Sequence, residues 1–131
     1  MTISEILALV DDINPNTYDE KIKINWLSEL DNKIFTSLVM TCEHVLVDDG
    51  EGNLVEPTFT AYTEDDEEKE LIAPNEFADI YRYYLATQIE YSNGETDRYN
   101  NSMLMFNSAY DAFERWYVRN HKSFIKPLRV F

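Results

Sequence analysis

The chain is poor in the residues that build most recognisable active sites. Its 131 residues include one cysteine, two histidines, three glycines and four prolines. The single cysteine, Cys42, cannot form an internal disulfide and is typical of a reducing compartment. Three glycines are too few for a glycine-rich phosphate-binding loop, and the sequence contains neither a P-loop nor a GxSxG motif. We therefore expect a protein that is not an enzyme and that uses no cofactor.

Positive charge is also scarce. Eleven lysines and arginines stand against 25 acidic residues, which gives a net charge of −14. Because binding to a nucleic-acid backbone requires clustered Lys and Arg, this balance argues against such binding. The charge is uneven: residues 112–131 carry five basic residues and one acidic residue, a net +4, which leaves −18 for residues 1–111. An acidic body followed by a basic tail favours head-to-tail association between copies.

Long hydrophobic runs are missing as well. No apolar stretch approaches the roughly 18 residues of a transmembrane helix, and the first ten residues lack the basic start and the cleavage site of a leader peptide. Apolar residues still make up 44% of the chain, enough for the core of one compact domain. We expect one soluble domain in the cytoplasm of the host.

Capping signals and helical spacing predict two helices in the first third of the chain. The first opens with a capping box at Thr2 and Glu5 and ends before Pro15. A second capping box, at Thr17 and Glu20, predicts the start of a long helix over residues 18–41.

Two further helices are predicted over residues 74–120, joined by a short turn. Pro74 suits the first turn of the third helix, and Gly94 can end it in the left-handed conformation. Thr96 is the predicted cap of the fourth helix. Its apolar side chains recur with steps of four and three, which is typical of a helix-packing seam: Tyr99, Met103, Phe106, Tyr110, Phe113 and Tyr117. Met105, Ala109, Ala112 and Trp116 widen this face, so we expect an antiparallel pair buried on more than one side.

A different pattern fills residues 42–73. Residues 45–47 (VLV) and 54–62 (LVEPTFTAY) flank DDGEGN, which predicts a β-hairpin with a glycine-containing turn. A dense acidic run follows, and like-charge repulsion should keep it solvated as a mobile loop or hairpin tip. Its acidic members are Glu64, Asp65, Asp66, Glu67, Glu68 and Glu70.

Residues 123–131 lack a helical period and contain Pro127, which predicts an extended C-terminal arm. The arm is too apolar to stay in water, so it either folds back over its own domain or reaches a neighbouring molecule. In the second case its basic residues would meet an acidic surface. The expected contact residues are Phe124, Ile125, Lys126, Pro127, Leu128, Arg129, Val130 and Phe131.

Other candidate sites are weaker. Cys42 and His44 do not have the spacing of a zinc site, so we interpret them as a buried thiol and a surface imidazole. The turn DDGEGN does not reproduce an EF-hand loop. Asn100 and Asn101 are poor helix formers in mid-helix, and they either face water or hydrogen-bond where another helix or subunit crosses. No metal site is expected.

Two long stretches resemble a known family. The first is ELIAPNEFADIYRYYLATQIEYSNGETDRYNNSMLMFNSAYDAFERWY, residues 70–117, with its ordered series LxxP, YxxYL, NGE, YNNS, FN and WY. The second is ISEILALVDDINPNTYDEKIKINWLSELD, residues 3–31. Both are similar to proteins encoded among the structural genes of tailed bacteriophages and prophages of Gram-positive bacteria, and their helical outline is similar to the head–tail adaptors, or connectors, of long-tailed phages.

The resemblance implies a mainly α fold: a small bundle of about four helices over residues 1–122, with a β-hairpin insert at 42–73 and the arm at 123–131. It implies a virion structural protein that forms a ring, twelve-fold in such adaptors, below the portal and extends the DNA channel toward the tail. The implied partners are other copies of the chain, the portal protein and a stopper or tail-completion protein. Genomic DNA would pass without specific binding, no membrane is involved, and the arm would clasp the portal or an adjacent subunit.

The charge admits a second hypothesis. A channel for DNA benefits from walls that do not bind it, and the acidic run 64–70 could supply such a wall. The same net charge of −14 is also expected of an acidic inhibitor or DNA mimic that binds a nucleic-acid-binding protein of the host. Such a mimic needs its acidic groups on a rigid surface.

Overall fold

The computed structural model describes residues 1–123, which form a helical bundle with one small sheet. The helices are α1 (Ile3–Ile13), α2 (Glu20–Ile34), α3 (Asp79–Asn93) and α4 (Thr96–Asn120). Between α2 and α3 lie an antiparallel pair of strands, β1 (Val47–Asp48) and β2 (Leu54–Val55), and two 3-10 turns, Glu64–Asp66 and Asn75–Phe77. The predicted fold class, a four-helix bundle with a β-hairpin insert, is confirmed. Of the predicted arm, residues 123–131, only Ser123 lies within the described residues.

Helix α1 begins at the predicted cap residue, Thr2, but the Glu5 carboxylate contacts the Thr2 hydroxyl instead of the Thr2 backbone amide, so only half of the predicted capping box forms. The Thr2 hydroxyl oxygen accepts a hydrogen bond from the Glu5 amide at 3.2 Å, and the hydroxyl lies 3.1 Å from the Glu5 carboxylate. This cap satisfies one of the free amides of the first turn. One face of α1 then enters the core through Ile3, Ile6, Leu7 and Val10.

The predicted capping box at Thr17 and Glu20 is wrong. Helix α2 has Asp19 as its N-terminal cap residue, and no side chain caps its amides. The local competitor is Asn16, whose side-chain oxygen accepts from the Tyr18 amide at 3.2 Å. That bond holds the residues before α2 in a turn, so Thr17 lies outside the helix.

Helix α2 contributes one wall of the core. It continues into a π-helical turn, Phe35–Val39, so the helical path nearly reaches the predicted end at residue 41. Its buried apolar residues are Ile24, Leu27, Leu30 and Ile34, followed by Leu38 in the π turn.

Helices α3 and α4 pack antiparallel along most of their length. Aromatic pairs mark the register, each with ring centroids 5.5 Å apart: Tyr91 with Tyr99, Tyr84 with Phe106, and Phe77 with Phe113. Gly94 ends α3 with φ 73° and ψ 20°, the left-handed conformation predicted for it. Pro74 opens the 3-10 turn before α3 instead of α3 itself.

The predicted cap at Thr96 is displaced by one residue. Glu95 is the cap residue of α4, and Thr96 is already helical. The Glu95 amide donates back to the Glu90 carbonyl at 2.9 Å, so the left-handed turn closes within a single residue after Gly94. Helix α4 therefore begins one residue earlier than predicted.

Helix α4 is buried on one side only. The seam is confirmed, since Phe106, Tyr110, Phe113 and Tyr117 are buried. The expectation of burial on more than one side is wrong for this helix in the single chain, because Met105 is 44% exposed and Ala112 is also exposed. Leu104 is 69% exposed. A helix with apolar residues beyond its packed stripe offers surface to another molecule.

Candidate interaction site

The β-hairpin is organised by its turn. Val47 pairs with Val55 and Asp48 with Leu54. The Asp48 carboxylate accepts from the Gly50 amide at 2.8 Å, and the Asp49 carboxylate accepts from the Glu51 amide at 2.7 Å. The Glu51 amide, together with the backbone and side-chain amides of Asn53, lowers the pKa of Asp49. Gly50 and Gly52 have φ of 90° and 86°, which side chains rarely adopt, so the turn depends on glycine at both positions.

The apolar side chains of the hairpin are all exposed to solvent, to different degrees. We define the hairpin surface as Val45, Leu46, Val47, Leu54 and Val55, which are 83%, 42%, 45%, 69% and 40% exposed. Among the described residues, neither outer edge of the two strands pairs with a further strand. Uncovered apolar side chains combined with open strand edges are typical of a surface that binds another chain.

A histidine joins the two ends of the hairpin at its base. His44 Nδ1 lies 2.8 Å from the carbonyl oxygen of Cys42 and 3.0 Å from that of Val39, and Nε2 contacts the Glu56 carboxylate. Carbonyl and carboxylate oxygens only accept hydrogen bonds, so this arrangement favours the imidazolium, which carries a proton on both nitrogens. The Glu56 carboxylate, with the Cys42 carbonyl, raises the pKa of His44. Only 10% of the His44 side chain is exposed, so its interpretation as a surface imidazole is wrong, whereas the buried thiol of Cys42 is confirmed.

The end of the described chain lies beside this base. Ser123 forms an antiparallel bridge with Cys42, and the Glu43 amide donates to the Lys122 carbonyl at 2.8 Å. The predicted contact residues of the arm, 124–131, lie outside the described residues. Their point of departure is nevertheless fixed at the start of the hairpin.

The second half of the insert is anchored to the bundle by a buried carboxylate. Asp31, on α2, is fully buried and accepts from the hydroxyls of Tyr62 at 2.5 Å and Tyr81 at 2.6 Å and from the Ile72 amide at 3.2 Å. The Tyr81 hydroxyl in turn accepts from the Ala73 amide at 2.8 Å. Burial raises the pKa of Asp31 against the lowering effect of its three donors. We call these five residues the Asp31 network.

The acidic run is held against the first turn of α1. The Ser4 amide donates to the Glu67 carbonyl at 2.8 Å and the Ile3 amide to the Lys69 carbonyl at 3.1 Å, so backbone oxygens of this run satisfy the free amides of α1. Thr63 and Asp66 form a capping box for the 3-10 turn. The prediction of a mobile loop or hairpin tip is wrong, because the segment lies outside the hairpin and these long-range bonds fix it on the bundle.

The acidic side chains themselves stay in water, as predicted. Asp66 and Glu67 are half-buried, and the other four, Glu64, Asp65, Glu68 and Glu70, are exposed. Glu67 shares a hydrogen bond with Glu20 on α2, and this contact between two carboxyl groups raises the pKa of Glu20. The acidic run thus belongs to a wider, fixed acidic face.

The polar residues of α4 face solvent. Asn100 and Asn101 are both exposed in the single chain, which fits the first of their two predicted environments. Contact with another subunit stays a prediction. Within residues 1–123, no group of three or more His, Cys, Asp or Glu side chains is placed to hold a metal ion. No helix in this part of the chain has the length and apolar character needed to cross a membrane.

The sequence analysis missed the Asp31 network, although a signal was present. Asp31 falls on the same helical stripe as Ile24, Leu27, Ile34 and Leu38, with steps of three and four. An acidic residue on a core stripe must find hydrogen-bond donors inside the fold. Tyr62 and Tyr81 supply these donors, but they lie 31 and 50 residues from Asp31, so no local sequence pattern could predict which residues pair with it.

Comparison with known proteins adds no relative to this description. No family model, no curated protein and no solved structure matches the chain. The structure by itself defines a small helical bundle that carries an exposed apolar hairpin and a fixed acidic face.

Proposed function

We propose that the protein is a non-enzymatic virion component, a head–tail adaptor that forms a ring below the portal of a tailed phage. The proposal starts from the resemblance of residues 3–31 and 70–117 to such adaptors. The observation that supports it most is the hairpin surface, where five neighbouring apolar side chains are between 40% and 83% exposed. A subunit that completes its surface only in an assembly has this property.

The position of the uncovered surfaces supports a ring. The hairpin base lies beside Lys122 and Ser123, just past the end of α4, whereas Leu104 is 16 residues before the last residue of that helix, about 24 Å along its axis. Two different apolar surfaces at separated places suit a heterologous interface, in which one surface of a subunit meets another surface of the next. Such interfaces close into rings when the rotation between subunits allows it.

Charge supports the channel role. The body of the chain, residues 1–111, carries −18, and the acidic run is fixed on α1 instead of moving freely. A fixed acidic wall repels the phosphates of passing DNA at short range. In the proposed ring, Glu64, Asp65, Glu68 and Glu70 line the lumen or the outer rim, and the C-terminal arm contacts the portal or an adjacent subunit.

Electron microscopy tests this proposal. The purified full chain is imaged alone and after mixing with the portal protein encoded by the same genome. We expect closed rings, either free or seated on the portal. A matched sample that ends at Ser123 keeps the bridge to Cys42 and should lose the arm-dependent contact only. If neither rings nor a portal complex form under any condition in which the full chain is folded, the adaptor proposal is wrong.

One observation favours the alternative, a DNA mimic or acidic inhibitor. A mimic needs acidic groups on a rigid surface, and the acidic run is held to α1 by backbone hydrogen bonds. Its test is displacement of labelled duplex DNA from a purified nucleoid protein of the host. Displacement that disappears when Glu64, Asp65 and Glu68 are changed to Gln, Asn and Gln would support the mimic, provided that the variant remains folded.

A further inference from the structure

The hairpin is incomplete as a sheet. Its two strands of two residues, β1 and β2, pair only with each other within residues 1–123. An isolated two-stranded hairpin is marginal in water, and at least a third strand or a packed face is needed to stabilise one. Here both strands are exposed and the apolar residues of the hairpin surface face solvent. The missing cover must therefore come from another segment.

We propose that residues 124–131 of a second copy of this chain bind the hairpin surface as an added strand. The inference deepens the proposed function and rests on its self-assembly, because it names the surface that receives the arm. The segment reads FIKPLRVF: five apolar residues, two basic residues and no acidic residue. The hairpin presents the complementary set, apolar side chains beside Asp48, Asp49, Glu51 and Glu56. Recognition by strand addition combines backbone bonds with such side-chain contacts.

Length and proline are compatible with this role. Eight extended residues span about 26 Å, more than enough to cover a short strand and its flanks. Pro127 has no amide proton, which would disfavour it in a central strand. In an added edge strand every second amide points away from the sheet, so proline is tolerated at one of these positions.

The chain direction favours a second copy over the same copy. Ser123 runs antiparallel to Cys42, so at this bridge the backbone heads opposite to the path that leads from Cys42 to Val45. A strand on its own hairpin would have to reverse direction first. An arm that binds the next copy instead gives a head-to-tail contact, which repeats around a ring.

A complementation experiment tests the inference with two variants of the full protein. The first carries Leu54→Ser, which damages the hairpin surface and leaves the arm intact. The second ends at Ser123, which removes the arm and leaves the hairpin intact. Ile13→Ser at the end of α1 is the control, because Ile13 is also an exposed apolar side chain, at 49%, and lies outside both the hairpin surface and the exposed face of α4. Circular dichroism and thermal melting establish that every variant is folded.

Sedimentation velocity over a concentration series then measures self-association. We expect Leu54→Ser to weaken it about tenfold or more, as loss of a leucine that becomes buried on binding predicts, and Ile13→Ser to change it less than about threefold. The truncated chain should not self-associate. A mixture of the truncated chain and Leu54→Ser contains one intact hairpin surface and one intact arm on different molecules, so it should form a 1:1 dimer.

Two results would overturn the inference: a full chain that stays monomeric up to roughly millimolar concentration, where a contact of about −4 kcal/mol would still show, or Leu54→Ser that associates like the unmodified chain. Either can occur while the protein still binds a portal, which would leave the proposed function standing. Conversely, association that depends on Leu54 and the arm without any portal complex would support the inference and remove the adaptor role.

Discussion

The two halves of the insert, residues 42–61 and 62–73, differ in how they meet the bundle. The second half is fixed to α2 by hydrogen bonds from Tyr62 and Ile72 to the Asp31 carboxylate, and to α1 by backbone hydrogen bonds of the acidic run. In the first half, Phe59 packs against Phe35 and Tyr62, but the five apolar side chains of the hairpin surface are exposed. The second half instead buries its apolar side chains, Leu71 and Ala73, beside the Asp31 network. Exposed apolar side chains next to a well-anchored segment indicate that the hairpin surface binds a partner.

Removing the Asp31 carboxylate should have the largest effect on this contrast. Asp31→Ala leaves two tyrosine hydroxyls and the Ile72 amide without their acceptor, so we expect the free energy of unfolding to fall by about 3 to 5 kcal/mol. Urea unfolding followed by circular dichroism measures the change. The matched control is Asp111→Ala, since Asp111 forms an exposed ion pair with Arg115 at 2.8 Å and should lose about 0.5 kcal/mol or less.

A double-mutant cycle shows whether the network acts as a unit. Tyr62→Phe should cost less in the Asp31→Ala background than in the unmodified chain, because the hydroxyl has then already lost its partner. Equal costs in both backgrounds would mean that the Asp31 network does not hold the second half of the insert in place.

The two tyrosines should differ from each other in a measurable way. The Tyr81 hydroxyl both donates to Asp31 and accepts from the Ala73 amide, whereas the Tyr62 hydroxyl donates to Asp31 alone. Tyr81→Phe should therefore lower the free energy of unfolding by about 2 kcal/mol and Tyr62→Phe by about 1 kcal/mol. Thermal and urea unfolding of the two variants test the order.

Tyr84→Phe is the control for loss of a hydroxyl. Its oxygen lies 3.5 Å from the Glu29 carboxylate, a long contact near solvent, so the change should stay within about 0.5 kcal/mol. If all three variants lose the same stability, the cost reflects removal of any tyrosine hydroxyl and is not specific to the hydrogen bonds with Asp31.

Local sequence patterns predicted the helices and the hairpin better than they predicted the long-range contacts that join these elements. The stripe on α4 and the glycine at residue 94 specify an antiparallel helix pair, and the turn between residues 48 and 53 specifies the hairpin. These features depend on neighbours in the chain. The Asp31 network and the docking of the acidic run on α1 join residues far apart in sequence, so periodicity could not reveal them. Solvent exposure was correctly predicted for four of the six acidic side chains, but the backbone of the run forms hydrogen bonds to α1 that the sequence did not indicate.

The smallest expected effect concerns the base of the hairpin. Glu56 raises the pKa of His44 above its ordinary value of 6.5, so the stabilisation that this pair gives is complete below about pH 6.5 and is lost as the pH rises through the raised pKa. NMR titration of His44 in the unmodified chain and in Glu56→Gln measures this. We expect a lower His44 pKa in the variant. In the unmodified chain, hydrogen exchange of the β1 and β2 amides should accelerate above the His44 pKa by more than the intrinsic pH dependence of exchange, whereas the α3 amides should follow the intrinsic dependence. The same His44 pKa in both proteins would show that Glu56 does not hold the hairpin base. The part of the insert that is not fixed to the bundle would then start directly after Cys42 and include the base of the hairpin.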